Sequence, residues 1–151
     1  MVVDLALIRG PILVHNTDHC RRFVSDGVLS RLKFGPIRKN FIWVVGNYVI
    51  GTITLTRTTE NECWLTNVYI HPDYRGYGIS KTLLEFAVRT HGANLLTVLP
   101  DNKKAINLYL KYGFKHKGYD KNGSIIMARD GWVASNISRD KYDTKSPKLI
   151  W

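Results

Sequence analysis

The residues with most chemistry in their spacing run from His71 to Lys81: His71-Pro72-Asp73-Tyr74-Arg75-Gly76-Tyr77-Gly78-Ile79-Ser80-Lys81. A β-rich segment leads in, and a stretch with helical spacing leaves. Two glycines two apart let the backbone approach a ligand and present successive N–H groups. The helix start adds free N–H groups and the positive end of its dipole. Arg75 supplies a fixed positive charge. These parts make a cradle for phosphate or pyrophosphate. Gly-x-Gly alone is better explained by a tight strand-to-helix turn that needs glycine. The dinucleotide fingerprint needs a third glycine where Lys81 stands, and the Walker loop is absent.

Other reactive groups carry less. His15, Asp18, His19 and Cys20 resemble a ligand set, but they stand at a helix start where Asp and Asn cap, so no metal is expected. Trp64, Tyr69, Tyr74 and Tyr77 could stack on bases, although sheet and loop aromatics usually pack.

The elements that must position the loop follow from pattern. Residues 5–14 contain a first strand, bent or broken at Gly10-Pro11. Residues 18–33 read as one or two short helices, and Gly35-Pro36 ends that region. Residues 41–45 and 48–56 form a hairpin through Gly46-Asn47. A strand follows at 63–70, a helix at 79–90, and a short buried strand at 94–99. Asp101 or Asn102 caps a helix whose Ala105, Leu108, Tyr109 and Tyr112 share one face. Two strands fit 114–119 and 124–129. This is an α/β domain with a mixed sheet. A single domain is expected over 1–130, with a tail over 131–151 of unassigned structure.

Composition narrows the class. The 151 residues are 44% hydrophobic and 23% charged, with a net charge of +10. That excludes a disordered tail, a collagen-like repeat and a coiled coil. No apolar run approaches the ~18–20 residues of a membrane helix, and no signal peptide is evident. Two cysteines fit a reducing cytosol, so a cytoplasmic location is expected. Residues 1–50 carry +4, residues 51–100 carry 0, and residues 101–151 carry +6. Arg21, Arg22, Arg31, Lys33, Arg38 and Lys39 crowd together against Asp26.

The loop resembles the main fingerprint of the GNAT superfamily of acyl-CoA-dependent N-acyltransferases, Arg/Gln-x-x-Gly-x-Gly/Ala. Arg75, Gly78 and Ser80 take those places, with the frequent extra glycine at Gly76. Ser80 departs from the usual glycine or alanine. A second element resembles Asn-x-x-Ala-x-x-Leu-Tyr-x-Lys-x-Gly-Phe, matched by Asn102, Ala105, Leu108, Tyr109, Lys111, Gly113 and Phe114. The resemblance covers roughly residues 41–129.

It implies an α/β GNAT fold: a central, mostly antiparallel mixed sheet flanked by helices, with splayed parallel strands forming the CoA cleft. Val68, Tyr69 and Ile70 would offer backbone groups to pantetheine and the acyl carbonyl. Arg75, Gly76, Tyr77, Gly78, Ile79 and Ser80 would hold the pyrophosphate, and Asn102 the pantetheine arm. Tyr109 would be the general acid of an acetyl transfer from acetyl-CoA to an amine. The general base stays unassigned: Glu62 and His71 flank the strand, and each also reads as a plain surface residue.

The acceptor is an amine of unknown identity. Early helices and the last hairpin flank the acceptor in the family, and here they are basic, including Lys115, Lys117 and Lys121. That disfavours a polycationic acceptor and favours an amine on an anionic partner: a nucleic acid such as charged tRNA, or an acidic protein. Two alternatives stand: a small-molecule N-acetyltransferase with an incidental basic surface, and a non-catalytic module that binds CoA or nucleic acid. A homodimer is left open, and no membrane partner is expected.

Overall fold

A computed structural model describes residues 3–129. Seven strands form one sheet in the order β1-β2-β3-β4-β5-β7-β6. They are β1 Ile8–Val14, β2 Arg38–Val45, β3 Tyr48–Thr59, β4 Glu62–Ile70, β5 Leu95–Val98, β6 Lys115–Tyr119 and β7 Ile125–Ala128. Only β4 and β5 are parallel neighbours; every other pair is antiparallel. The mixed, mostly antiparallel sheet agrees with the sequence expectation. The tail over 131–151 lies outside the described residues. Among the described residues, no helix is long and apolar enough to cross a membrane.

The helices are α1 Thr17–Cys20, α2 Ile79–Glu85 and α3 Lys103–Lys111. Helix α2 continues as a π-helical segment, Phe86–Thr90. The wider turn falls where Phe86 packs edge-on against Phe41 and Trp43. The helix then stops before Gly92, whose φ of 66° suits a helix C-terminus.

The region 18–33 is less helical than its pattern predicts. It holds the single turn α1 and a 3-10 turn, Val28–Arg31. Between them Val24 leaves helical geometry to form a parallel bridge with Tyr48. Gly27 then turns the chain with φ 82°. Tertiary pairing here overrides local preference.

The expected bend in β1 is present. The β1–β2 register shifts between Arg9 and Ile12. A Cβ at Gly10 would meet the Trp43 ring at 2.5 Å, so close packing requires glycine there.

One sheet face carries the main core: Phe41, Trp43, Ile53, Leu65 and Leu96 pack with Leu83, Leu84, Ala105 and Tyr109 from the helices. The other face carries Val14, Ile42, Val44 and Val49 beneath Val28, Phe23 and Leu29. A bulge in β4 decides which residue meets which face. The β3–β4 register shifts between the Thr52–Tyr69 and Thr54–Thr66 pairs. Asn67 absorbs the extra residue at φ 49°, a conformation asparagine tolerates. Its Nδ2 donates to Thr54 Oγ1 at 3.2 Å, and its carbonyl accepts from Thr52 Oγ1 at 2.8 Å. After the bulge Val68 and Ile70 join the main core, while Tyr69 packs against the opposite cluster.

Candidate active site

The site begins with an interrupted ladder. Strand β4 pairs with β5 only at Trp64–Leu95 and Leu65–Leu96. From Thr66 to Ile70, β4 has no ladder partner on that side among the described residues. Backbone groups left this way need another hydrogen-bonding partner. The open stretch contains Val68, Tyr69 and Ile70.

The loop after β4 closes one end of the opening. His71 leads into a 3-10 turn, Pro72–Tyr74, and Arg75 follows. Gly76 and Gly78 have φ of 86° and 79°, and a Cβ at either would meet nothing within 4 Å. Backbone conformation, not crowding, therefore requires glycine at both. Gly78 caps α2 without a side-chain hydrogen bond, so the first-turn N–H groups have no capping side chain. The Arg75 Nε donates to the Ile70 carbonyl oxygen at 2.9 Å.

A cleft of about 250 Å³ lies against this loop. It gathers six of the expected residues, Ile70, Arg75, Gly76, Ile79, Ser80 and Asn102. Four others stand around it. Val68 is buried in the main core, and Tyr69 turns its ring to the opposite face. Tyr77 is exposed, and Gly78 supplies only the turn into α2.

Tyr74, Lys104 and Ala105 also line the cleft and were missed by sequence reasoning. Lys104 carried a signal. Lysines in the first turn of α3 oppose the helix dipole, an arrangement that suits an anion bound between them.

Helix α3 starts where Asn102 Oδ1 accepts the Ala105 N–H at 3.3 Å. This cap occupies the oxygen, so the amide nitrogen is the part of Asn102 that can serve a ligand. One turn after Ala105 comes Tyr109. It is 1% exposed and packs edge-on against Phe114 at 6.0 Å. Nearby, Tyr112 donates its hydroxyl to Glu85 at 2.8 Å. Burial and that carboxylate raise the Tyr112 pKa.

The two residues considered for a base are both committed. Glu62 is buried rather than a surface residue, and its Oε1 accepts from Thr58 and Thr59. It stands five strand residues before the bulge, about 16 Å away. His71 accepts the Asp73 N–H at Nδ1, and its Nε2 lies 3.0 Å from Asp26 Oδ2. The other Asp26 oxygen accepts the Tyr48 hydroxyl. Tyr48, then His71, hold the Asp26 carboxyl below its usual pKa. Burial pushes the Tyr69 phenol up, Asp26 adds to this, and Arg75 and Arg31 oppose it.

The early histidines stack, His15 on His19, with ring centroids 5.4 Å apart. His19 Nδ1 accepts the His15 N–H at 3.2 Å, Asn16 caps α1, and Asp18 pairs with Arg21 at 2.9 Å. Among the described residues, no three His, Cys, Asp or Glu side chains cluster as a metal site. The two cysteines are free, with Cys63 buried.

Comparison with known proteins fits this geometry. The model of an acetyltransferase (GNAT) domain matches residues 38–116. The spermine/spermidine N(1)-acetyltransferase of Bacillus subtilis (strain 168) is 30% identical over 79 residues, 47% of this chain and 51% of that protein. The chain thus spans about half the length of the curated relatives it matches. Among solved structures, the ribosomal-protein-S18-alanine N-acetyltransferase from Escherichia coli is 25% identical with a TM-score of 0.55. That match covers 70% of this chain and 77% of that one. The PaiA N-acetyltransferase from Thermoplasma acidophilum, in complex with coenzyme A, is 26% identical with a TM-score of 0.54. It covers 68% of this chain and 67% of that one. With the family model spanning more than half of the residues, over the interrupted ladder, the glycine loop and α3, this chain belongs to the GNAT acetyltransferase family.

Proposed function

We propose that the protein transfers an acetyl group from acetyl-CoA to an amine. The observation that carries this reading is the cleft joining the open edge of β4, the Arg75–Ser80 loop and the start of α3. Its parts suit the donor. The first-turn N–H groups of α2, Arg75 and Lys104 match a pyrophosphate. The open backbone from Val68 to Ile70 matches the pantetheine amides and the acyl carbonyl, and the Asn102 amide stands beside that path.

In the transfer, the amine nitrogen attacks the thioester carbon, and the carbon–sulfur bond breaks. Tyr109 gives its phenolic proton to the departing thiolate and regains one from solvent. The proton lost by the amine goes to water, since Glu62 and His71 are both engaged elsewhere. Backbone N–H groups at the β4 opening stabilise the oxyanion.

The acceptor is an amine presented by an anionic partner, either a nucleic acid or an acidic protein. Arg21, Arg22, Arg31 and Lys33 lie on the segment beside β2 and β3, and among the described residues only Arg21 of these has a carboxylate partner, Asp18. The Escherichia coli neighbour named for a ribosomal protein favours a protein. A polyamine is the second reading, favoured by the name of the Bacillus subtilis relative. The basic segment opposes it by charge.

A thiol-release assay with acetyl-CoA tests both levels. Wild type is expected to release thiol with acidic ribosomal proteins or charged tRNA, and mass spectrometry should locate the acetyl group. Turnover with spermine alone would favour the second reading. Absence of turnover with every amine would overturn the enzymatic one.

A further inference from the structure

Two segments far apart in the chain meet at Asp26 and His71. Residues 21–34 run beside the sheet and are fastened to its hairpin. The Val24 N–H donates to the Asn47 carbonyl, and the Val49 N–H to the Val24 carbonyl, both at 2.8 Å. Val28 is buried, and Phe23, Leu29 and Phe34 pack on the Ile42–Val44–Val49 cluster. From this base Asp26 reaches across to Tyr48 and to His71.

His71 belongs to the cofactor loop. It is the first residue after β4, and its Nδ1 accepts the N–H of Asp73 in the turn that delivers Arg75 and Gly76. With Nδ1 accepting, the neutral ring carries its proton on Nε2 and donates to Asp26. The imidazole side chain is 13% exposed. It sits edge-on between Tyr48 at 5.6 Å and Tyr74 at 6.0 Å, and Tyr74 lines the cleft. Among the described residues, Asp26–His71 is the sole hydrogen bond between residues 21–34 and residues 71–80.

We propose that this contact is a latch coupling the cofactor loop to the acceptor-side wall, which makes Asp26 and His71 positioning residues for the acceptor amine. The proposal rests on reading residues 21–34 as that wall. The physical logic is local. Phosphates held by Arg75–Ser80 order the turn, the turn fixes the imidazole through the Asp73 N–H, and the imidazole fixes Asp26. Asp26 is 59% exposed, so the bond breaks and reforms readily. A tie of that kind transmits order without locking the wall, and the coupling is reciprocal.

Hydrogen exchange tests the latch in wild type, His71→Ala and His71→Gln, where the glutamine amide nitrogen takes the place of Nε2. The apo His71→Ala variant is expected to exchange amides 24–32 about fivefold faster than wild type. Coenzyme A should slow exchange in residues 21–34 of wild type and His71→Gln, and leave them unchanged in His71→Ala. In turnover, Asp26→Ser, which leaves the cofactor loop's own hydrogen bonds in place, should raise the acceptor KM about fivefold, with coenzyme A affinity falling by no more than that factor. Asp26→Ser breaks the same bond from an exposed position and should behave as His71→Ala does, which guards against a folding defect at His71. Wild-type exchange in both variants would overturn the latch, as would His71→Gln behaving like alanine. Failure of wild type to bind coenzyme A would instead overturn the proposed function, and the apo comparison would still decide the latch.

Discussion

The Nε of Arg75 donates to the carbonyl oxygen of Ile70 at 2.9 Å, five residues back across the loop. The guanidinium therefore has two faces of work. One hydrogen bond folds the loop against the end of β4, and the residue also lines the cleft. Lysine has a methylene where arginine has the Nε donor, so charge alone does not replace this side chain. Arg75→Ala is expected to weaken acetyl-CoA binding roughly 10- to 100-fold, the scale of a lost charge-assisted hydrogen bond. Arg75→Lys should recover only a small part. Isothermal titration of coenzyme A into each variant checks this.

Gly78→Ala separates conformation from crowding. Its φ of 79° is the left-handed region, and no atom lies within 4 Å of the added Cβ. The cost is thus conformational, about 1–2 kcal/mol. It falls on the entry to α2, so the variant should lose coenzyme A affinity and some thermal stability together. A variant with unchanged affinity and melting temperature would contradict this account of the loop.

Tyr109→Phe removes one oxygen from a fully buried ring that still packs on Phe114. Coenzyme A binding should persist, while kcat falls by about 10²-fold or more, the usual scale of general-acid catalysis. Single-turnover kinetics isolates that step. Unchanged kcat would remove Tyr109 from the chemistry.

Tyr48 gives a pH signature for the cluster around Asp26. Its hydrogen bond to the Asp26 carboxylate, aided by burial, pushes its pKa up to about 12. A folded pKa above the ordinary value of 10 means the phenol's stabilising contribution is complete below pH 10. It is lost as pH rises toward about 12. Absorbance titration at alkaline pH should therefore show Tyr48 titrating late, beside the raised Tyr69 and Tyr112. Asp26→Asn should return Tyr48 toward 10, and no change would exclude the hydrogen bond as the cause.

Local signals made much of this legible in the sequence. Gly46-Asn47 marked the hairpin, Asp101-Asn102 marked the start of α3, and the spaced glycines marked the loop before α2. Each is a residue type with one strong backbone preference. The acceptor-side segment was less legible, because Val24 and Asp26 take their conformations from Tyr48 and His71, 24 and 45 positions away. The Tyr69 ring direction was also hidden. It depends on the Asn67 bulge, which reverses the alternation of the strand. Lys104 joined the site only once α3 was placed beside the cleft.

The two-pair ladder between β4 and β5 has a mechanical meaning as well. Four antiparallel strands lie on one side of it and three on the other. The Trp64–Leu95 and Leu65–Leu96 pairs stitch their backbones together, with the Asn94 N–H donating to the Cys63 carbonyl at 3.0 Å. The sheet is therefore two plates joined along a short seam, with helices spanning the back. Heat or denaturant should open that seam before either plate melts. A bound donor that bridges it acts as a rivet, raising the unfolding temperature in proportion to the logarithm of its concentration above Kd.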